Sequence, residues 1–85
     1  MAKFSLVFKK SVTKDLRSIP NPDISRLLTL AQSLCDDPRA AGCIKLSGLE
    51  RYRVRMGAYR IIYEIQEQEL IIQVIKIGHR REVYR

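Results

Sequence analysis

The sequence is poor in residues that bind metals or form disulfides, and it has no long apolar segment. Its 85 residues include two cysteines, Cys35 and Cys43, and a single histidine. Two cysteines are too few for a disulfide framework and do not match the ligand spacing of a zinc site. No apolar run reaches the length of a membrane span, and no signal peptide is recognisable. We therefore expect a cytoplasmic protein with no metal ion, no other cofactor and no membrane segment.

Acidic residues are also scarce relative to basic ones. Nine Asp and Glu residues face sixteen Lys and Arg residues, which gives a formal net charge of +7. Residues 1–48 hold eight basic and four acidic residues, and residues 49–85 hold eight and five. Because the excess is spread along the chain, it must lie on the folded surface and not in a tail. Such a surface favours a polyanionic partner, which is a nucleic acid, an anionic membrane or an acidic protein.

The clearest pattern lies in residues 52–63, where side chains alternate with period two on both sides of Gly57-Ala58. This pattern predicts a β-hairpin whose two-residue turn has glycine at the first central position, where a positive φ is needed. Pairing outward from the turn opposes four pairs: Met56 and Tyr59, Arg55 and Arg60, Val54 and Ile61, Tyr52 and Tyr63. Three arginines then share one face of the hairpin, which we call the arginine face: Arg53, Arg55 and Arg60.

The predicted pairing of Arg55 with Arg60 is unusual, because directly opposed like charges cost a strand pair up to ~1 kcal/mol. Two explanations fit the sequence. The face is either a solvated surface whose charges happen to be positive, or it binds an anionic ligand. Guanidinium groups are always charged and bind phosphate in a bidentate geometry, so a bound anion would account for the pairing of Arg55 with Arg60.

The rest of the chain predicts one α+β domain spanning residues 1–85, which is long enough for one modest core. Alternation from Phe4 to Phe8 predicts a first strand, and helical spacing predicts a helix over 12–19. Asn21 is the expected N-cap of a second helix, whose apolar stripe contains Ile24, Leu27, Leu28, Ala31, Leu34 and Cys35. After a connecting loop at 37–49, three strands are expected at about 51–56, 59–66 and 69–77. The predicted order is β-α-α-β-β-β, with the N-terminal strand and a helical hairpin packed on one face of a mainly antiparallel four-stranded sheet.

The last predicted strand carries apolar residues on both of its faces. Its pairing with the preceding strand is expected to place Leu70, Ile72 and Val74 under the core. Four isoleucines then fall on the arginine face: Ile62, Ile71, Ile75 and Ile77. This apolar strip is explained either by a partner that covers it or by a central strand that is β-branched on both sides.

The predicted order of elements resembles the RelE/ParE superfamily of small bacterial and archaeal toxins over nearly the whole chain, and the second half is the more specific part. The residues that carry the resemblance are Lys45-Leu46, Tyr52-Arg53-Val54-Arg55, Gly57, Tyr59-Arg60-Ile61-Ile62-Tyr63-Glu64, His79-Arg80-Arg81 and Val83-Tyr84. Basic residues at both alternate positions before the turn, together with the terminal tyrosine, are similar to the RelE branch. That branch implies a type II toxin that acts as a ribosome-dependent endoribonuclease on mRNA in the ribosomal A site. The ParE branch, which poisons DNA gyrase, is the nearest alternative.

The resemblance also implies partners and roles for individual residues. The expected partners are the ribosome with its mRNA and a cognate antitoxin with an acidic amphipathic segment; the toxin itself is expected to be monomeric. The implied reaction is attack of an RNA 2′-hydroxyl on the neighbouring phosphate. The implied catalytic residues are Arg53, Arg55, Arg60, Arg80 and Tyr84, and the secondary RNA-binding candidates are Lys45, His79 and Arg81.

This chain departs from the family at Arg53 and Arg55, where well-known members of the RelE branch carry lysine. A lysine in a cationic cluster can lose its proton and act as a general base, whereas arginine scarcely can. His79 has the only side chain with a naturally suitable pKa, so it is one candidate for the proton acceptor. The simpler interpretation of His79 is a structural residue or a bystander beside Arg80, which leaves the general base unassigned. A basic nucleic-acid-binding module without catalysis, or an inactive protein held by a partner, also fits this pattern.

Overall fold

The computed structural model describes residues 3–46 and 50–79, which form two helices packed on one mixed β-sheet. The helices are α1 (Ser11–Leu16) and α2 (Asn21–Ser33). The strands are β1 (Ser5–Phe8), β2 (Ile44–Lys45), β3 (Arg51–Met56), β4 (Tyr59–Gln66) and β5 (Ile71–His79). No helix within the described part of the chain is long and apolar enough to cross a membrane.

The sheet has five strands in the order β1-β5-β4-β3-β2, which corrects the expected count of four. The additional strand is β2, a two-residue segment at 44–45 that pairs antiparallel with β3. It lies inside the segment predicted to be only a loop. At the other edge of the sheet, β1 pairs with β5 in parallel, while all other pairings are antiparallel. The predicted α+β architecture is otherwise confirmed.

The hairpin register agrees with the prediction at every predicted pair. Met56 lies opposite Tyr59, and Arg55 lies opposite Arg60. Gly57 has a φ of +59°, so the turn uses the left-handed backbone that favours glycine. Because opposed residues of an antiparallel pair point to the same side, the arginine face is a real surface of the sheet.

The core lies on the other face of the sheet, which we call the helix face because both helices contribute buried residues to it. Its central aromatic is Tyr63, which is fully buried, stacks on Tyr52 at 5.8 Å between ring centroids, and donates a 2.6 Å hydrogen bond to the Pro38 carbonyl. Two helical expectations were wrong. Leu28 of the predicted stripe is 38% exposed, and the N-cap of α2 is Pro20, one residue before Asn21.

A β-bulge in β5 changes which residues of that strand reach the core. Tyr63 pairs with Val74, but Ile62 pairs with Lys76, so Ile75 is the extra residue. The bulge reverses the alternation beyond Ile75, and Ile77 becomes a core residue that is 1% exposed. The prediction that Ile77 lies on the arginine face was therefore wrong.

Leu70 was also misplaced by the sequence pattern. It was expected under the core, but it lies in the turn before β5, has a φ of +55° and is 38% exposed. Strand β5 consequently begins at Ile71, two residues later than predicted, and ends at His79, two residues later.

Candidate active site

Three arginines are brought together at the turn end of the β3–β4 hairpin. Arg53 lies between Ile44 and Ile62 in register, and Arg55 lies opposite Arg60. Across the next strand pair, Arg60 faces Gly78, which has no side chain. The cross-strand neighbours of these arginines are thus apolar, cationic or glycine, and none of them is acidic.

The other end of the arginine face is organised differently. Arg51 lies opposite Glu64 and forms an ion pair with it at 3.4 Å. Gln66 donates hydrogen bonds to Glu64 and Gln73, each at 3.2 Å. The same two strands therefore carry an oppositely charged register pair at one end and a like-charged pair at the other. The cationic end is therefore the part of this face that suits an anionic ligand, and it is the candidate site.

Arg60 and Arg55 differ sharply in exposure although they are direct neighbours. Arg60 is 6% exposed, whereas Arg55 is exposed to solvent. Among the described residues Arg55 forms no ion pair, so its guanidinium is available to a ligand. A buried guanidinium keeps its charge, because arginine does not deprotonate in proteins. The site therefore combines a fixed, enclosed cation with an accessible one.

Lys45 lies away from the arginine face. It pairs in register with Tyr52, whose ring belongs to the helix face, and its Nζ is 3.4 Å from Glu50 Oε1. Desolvation works against the charged form of Glu50, but hydrogen bonds from Arg39, Lys45 and Tyr52 outweigh it and lower the pKa of Glu50. Lys45 thus takes part in a network that holds the chain before β3, and it does not join the three arginines.

Arg39 is the centre of that network. Its Nε donates to the Tyr52 hydroxyl at 3.0 Å, and its Nη2 lies 3.2 Å from Glu50 and 2.6 Å from Glu67. These contacts join the loop after α2 to the start of β3 and to the β4–β5 turn. They fix the end of the hairpin remote from the candidate site.

His79 lies on the helix face, in register with Tyr59. The two rings meet edge to face with centroids 6.0 Å apart. Desolvation, followed by the nearby carboxylate of Asp23, raises the pKa of Tyr59. A pocket of about 330 Å³ opens beside this ring pair, and its wall includes Lys14 and Asp15 of α1 and Ser18, which follows that helix. The structure therefore separates His79 from Arg60 by the thickness of the sheet.

The remaining predicted site residues lie outside the described part of the chain. These are Arg80 and Arg81, which follow directly after the last described residue of β5, and Tyr84. Their proposed roles remain predictions from the family resemblance.

The other reactive side chains give no sign of a second catalytic centre. Burial, with a smaller contribution from Asp36, raises the pKa of the Cys35 thiol, which disfavours the nucleophilic thiolate. Cys43 is also a free thiol. Within residues 3–46 and 50–79, no group of three His, Cys, Asp or Glu side chains is placed to hold a metal ion.

Sequence reasoning gave no role to Lys76. The bulge at Ile75 puts this residue in register with Ile62, yet its side chain lines the pocket beside Tyr59 and His79. Its ammonium group lies 3.5 Å from Asp15 on α1, a residue that sequence reasoning also left without a role.

Comparison with known proteins gives one consistent family. A sequence model described as the ParE toxin of type II toxin-antitoxin systems matches residues 6–84. A putative toxin RelE1 of Methanocaldococcus jannaschii is 30% identical over 87 residues, covering 98% of this chain and 97% of that protein.

Several solved structures of RelE toxins have the same fold. The archaeal RelE–RelB complex from Pyrococcus horikoshii superposes with a TM-score of 0.81 at 30% identity, covering 96% of this chain and 99% of the matched one. The RelBE2 toxin-antitoxin complex of Mycobacterium tuberculosis gives a TM-score of 0.82 at 20% identity, covering 92% and 99%.

Proposed function

Because the chain belongs to the RelE/ParE superfamily of type II toxins, we propose that it is a ribosome-dependent endoribonuclease that cleaves mRNA during translation. The observation that carries the proposal is the register pair of Arg55 and Arg60. A like-charged pair lowers the stability of the hairpin, and a bound phosphate compensates for it. The pair of Arg51 and Glu64 at the other end of the same two strands supports this view, because these strands carry complementary charges where no anion is expected.

The chemistry that suits this cluster is phosphoryl transfer within the RNA strand, from the 5′-oxygen to the 2′-oxygen. The 2′-hydroxyl oxygen attacks the adjacent phosphorus, the bond to the 5′-oxygen breaks, and the products are a 2′,3′-cyclic phosphate and a 5′-hydroxyl end. Negative charge accumulates on the phosphorane oxygens, so preformed cations lower the barrier. We assign Arg60 to the scissile phosphate, and Arg53 and Arg55 to the developing charge.

Two further roles fall to residues outside the described part of the chain. In this proposal Arg80 neutralises the leaving 5′-oxygen, and Tyr84 stacks on a base or orients the attacking hydroxyl. Arg81 remains a candidate for contact with RNA.

His79 is a poor candidate for the general base, because it lies on the helix face in register with Tyr59. A base must come within hydrogen-bonding reach of the proton that it removes. We therefore propose that catalysis here relies mainly on charge stabilisation and positioning by the arginines, with the proton passing to a group other than His79.

We also propose an antitoxin partner. The Pyrococcus horikoshii relative is described in complex with RelB, and this chain shares 30% identity with it. The exposed charge of Arg55 and the net charge of +7 fit an acidic amphipathic segment that competes with RNA. Expression of the toxin alone should arrest growth, and co-expression of the adjacent small gene should relieve the arrest. Harmless expression of the folded protein alone would contradict the toxin assignment.

The ParE alternative has one observation in its favour, which is the description of the matching family model. It predicts DNA breaks that depend on gyrase and no cleavage of mRNA. The two activities are separable in one extract, because inhibition of gyrase leaves ribosomal cleavage unaffected.

The decisive experiment incubates the purified toxin with programmed ribosomes and maps the new 5′ ends of the mRNA. We expect cuts inside codons in the A site, with no cutting of free mRNA. Arg55→Ala should reduce the cleavage rate by at least ~100-fold, a common effect of losing one group that stabilises transition-state charge. Arg26→Ala is the matched control, because Arg26 is an exposed arginine of α2 in the helical layer. Equal activity of the two variants would remove the arginine face from the active site.

A further inference from the structure

The outer edge of β5 changes its partner part-way along the strand. Its first part pairs in parallel with β1, ending where Phe8 meets Val74, and the Lys9 amide donates to the Val74 carbonyl at 2.9 Å. After Lys10 the chain turns away into α1. The last residues of β5, from Ile75 to His79, therefore have no strand of the described chain on that edge. Edge amides of this kind need another acceptor if they are shielded from water.

Asp15 of α1 provides that acceptor. Its Oδ2 accepts a 3.2 Å hydrogen bond from the Ile77 backbone N–H. Its Oδ1 lies 3.5 Å from the Lys76 ammonium, and the Asp15 side chain is 17% exposed against 43% for Lys76. One carboxylate thus holds the backbone of one residue and the side chain of the residue before it. It takes the place that a longer β1 would occupy.

This contact lies immediately before the point where β5 reaches the candidate site. Gly78, the next residue after Ile77, is in register with Arg60, and His79 is in register with Tyr59. The bulge at Ile75 determines which side chains of residues 76–79 point to each face of the sheet. A bulge also disrupts the local pairing of the strands. A hydrogen bond on the opposite edge of Ile77 compensates by fixing the strand from outside the sheet.

We infer that Asp15 is a positioning residue, which fixes the end of β5 where Gly78 lies in register with Arg60. The catalytic part of this inference rests on the function proposed above. Asp15 lies on the helix side of the strand edge and acts through Ile77 and Lys76, without contact with RNA. If Asp15 served stability alone, its loss would lower the folded fraction but leave the turnover of the folded enzyme unchanged.

The test compares variants that change charge equally. Asp15→Ala removes the acceptor and the ion pair, whereas Asp15→Asn keeps a neutral acceptor. Asp36→Ala is the matched control, because Asp36 also pairs with a lysine, Lys3, at 3.7 Å on an exposed part of the surface. Each change makes the protein more cationic by one unit, so weaker attraction to the ribosome cannot explain a lower rate.

Two measurements are needed. Amide hydrogen exchange at Ile77 reports the anchor directly, and we expect Asp15→Ala to speed it at least ~10-fold, the size of losing one charge-assisted hydrogen bond. Ribosomal cleavage should show a kcat reduced by about 10-fold or more with an unchanged KM, since positioning acts on the chemical step. Asp36→Ala should match the wild type in both measurements. An Asp15→Ala protein whose kcat equals that of the control overturns the inference.

Asp15→Asn keeps the test decisive if Asp15→Ala does not fold. A charged acceptor makes a hydrogen bond roughly twice as strong as a neutral one, so Asp15→Asn should still speed exchange at Ile77 and lower kcat. Control-like values for both would overturn the inference. If the wild type does not cut mRNA on ribosomes, the proposed function fails by itself. Exchange at Ile77 then decides whether Asp15 is the anchor, and unchanged exchange in Asp15→Ala rejects it.

Discussion

Replacing Arg55 with glutamate should stabilise the protein and inactivate it at the same time. Arg55 lies directly opposite Arg60 on the β3–β4 hairpin, so the change converts a like-charged register pair into a complementary one. The pair of Arg51 and Glu64 at the other end of these strands, with 3.4 Å between nitrogen and oxygen, shows that the two strands allow such an ion pair. Catalysis should suffer because the accessible cation of the site is replaced by an anion.

The expected gain follows from the energies of cross-strand pairs. An opposed like-charged pair costs, and a complementary pair contributes, about 0.2–1 kcal/mol each, so the change spans roughly 0.4–2 kcal/mol. For a domain of this size, 1 kcal/mol corresponds to a shift in melting temperature of roughly 4–8 °C. Arg55→Gln removes the repulsion without adding attraction and should give about half of the gain.

Thermal unfolding of the purified proteins measures the effect. The gain should shrink at about 1 M salt, where the Debye length is only about 3 Å. Arg26→Glu is the control for net charge, because it changes the total equally at an exposed position of α2. If Arg55→Glu melts no higher than the wild type at low salt while Arg26→Glu does, the Arg55–Arg60 pair carries no strain. The argument that an anion compensates for that strain would then fail.

Three further predictions concern the tail, the core and the loop network. Removal of residues 83–85 should reduce ribosomal cleavage by ~100-fold, as loss of one positioned catalytic group does, whereas a truncated protein that cuts at full rate would exclude Tyr84 from the site. Tyr63→Phe should lower the free energy of unfolding in urea by ~1–3 kcal/mol, because it leaves the buried Pro38 carbonyl without its 2.6 Å donor; an unchanged value would contradict this reading. Since the pKa of Glu50 is lowered from 4.5, its contribution to stability is complete above that value and is lost as the pH falls through the lower folded-state pKa. Glu50→Gln should therefore lose less stability on acidification than the wild type, and an identical pH profile would show that the network adds nothing.

The hairpin was predictable because its two signals agree. Period-two alternation fixed the faces, and Gly57 fixed the turn, so a slip of one residue would have exposed the apolar set. Placement of Arg53, Arg55 and Arg60 on one surface followed from these signals alone. Local sequence signals are therefore sufficient to predict the register of a hairpin when one face of the sheet is buried.

The last strand was not predictable for the opposite reason. Ile71, Ile72, Val74, Ile75 and Ile77 are apolar in both phases, so the insertion of one extra residue leaves no trace in the pattern. The unrecognised bulge caused the misplacement of Ile77. It also explains why His79, which falls on the arginine face in the unbulged phase, lies on the helix face.

The structure at the edges of the sheet could not be predicted from the sequence, for a different reason. Strand β2 contains only Ile44 and Lys45, which is too short for any periodicity to appear. Its pairing with β3 is visible only in three dimensions, and so is the assignment of Lys45 to the face of Tyr52. The contact of Asp15 with Ile77 joins residues 62 positions apart, a distance at which sequence patterns carry no information.

The parallel pairing of β1 with β5 joins the two ends of the described chain and has a consequence for synthesis. Residues 5–8 cannot find their partner until residues 71–74 have been translated, because more than sixty residues separate the two strands along the chain. Contacts so distant in sequence form late in folding. With translation at about 5–20 residues per second, the nascent chain spends several seconds without a complete sheet. The order of the strands therefore leaves β1 without its partner strand, and the sheet incomplete at that edge, until β5 has been translated.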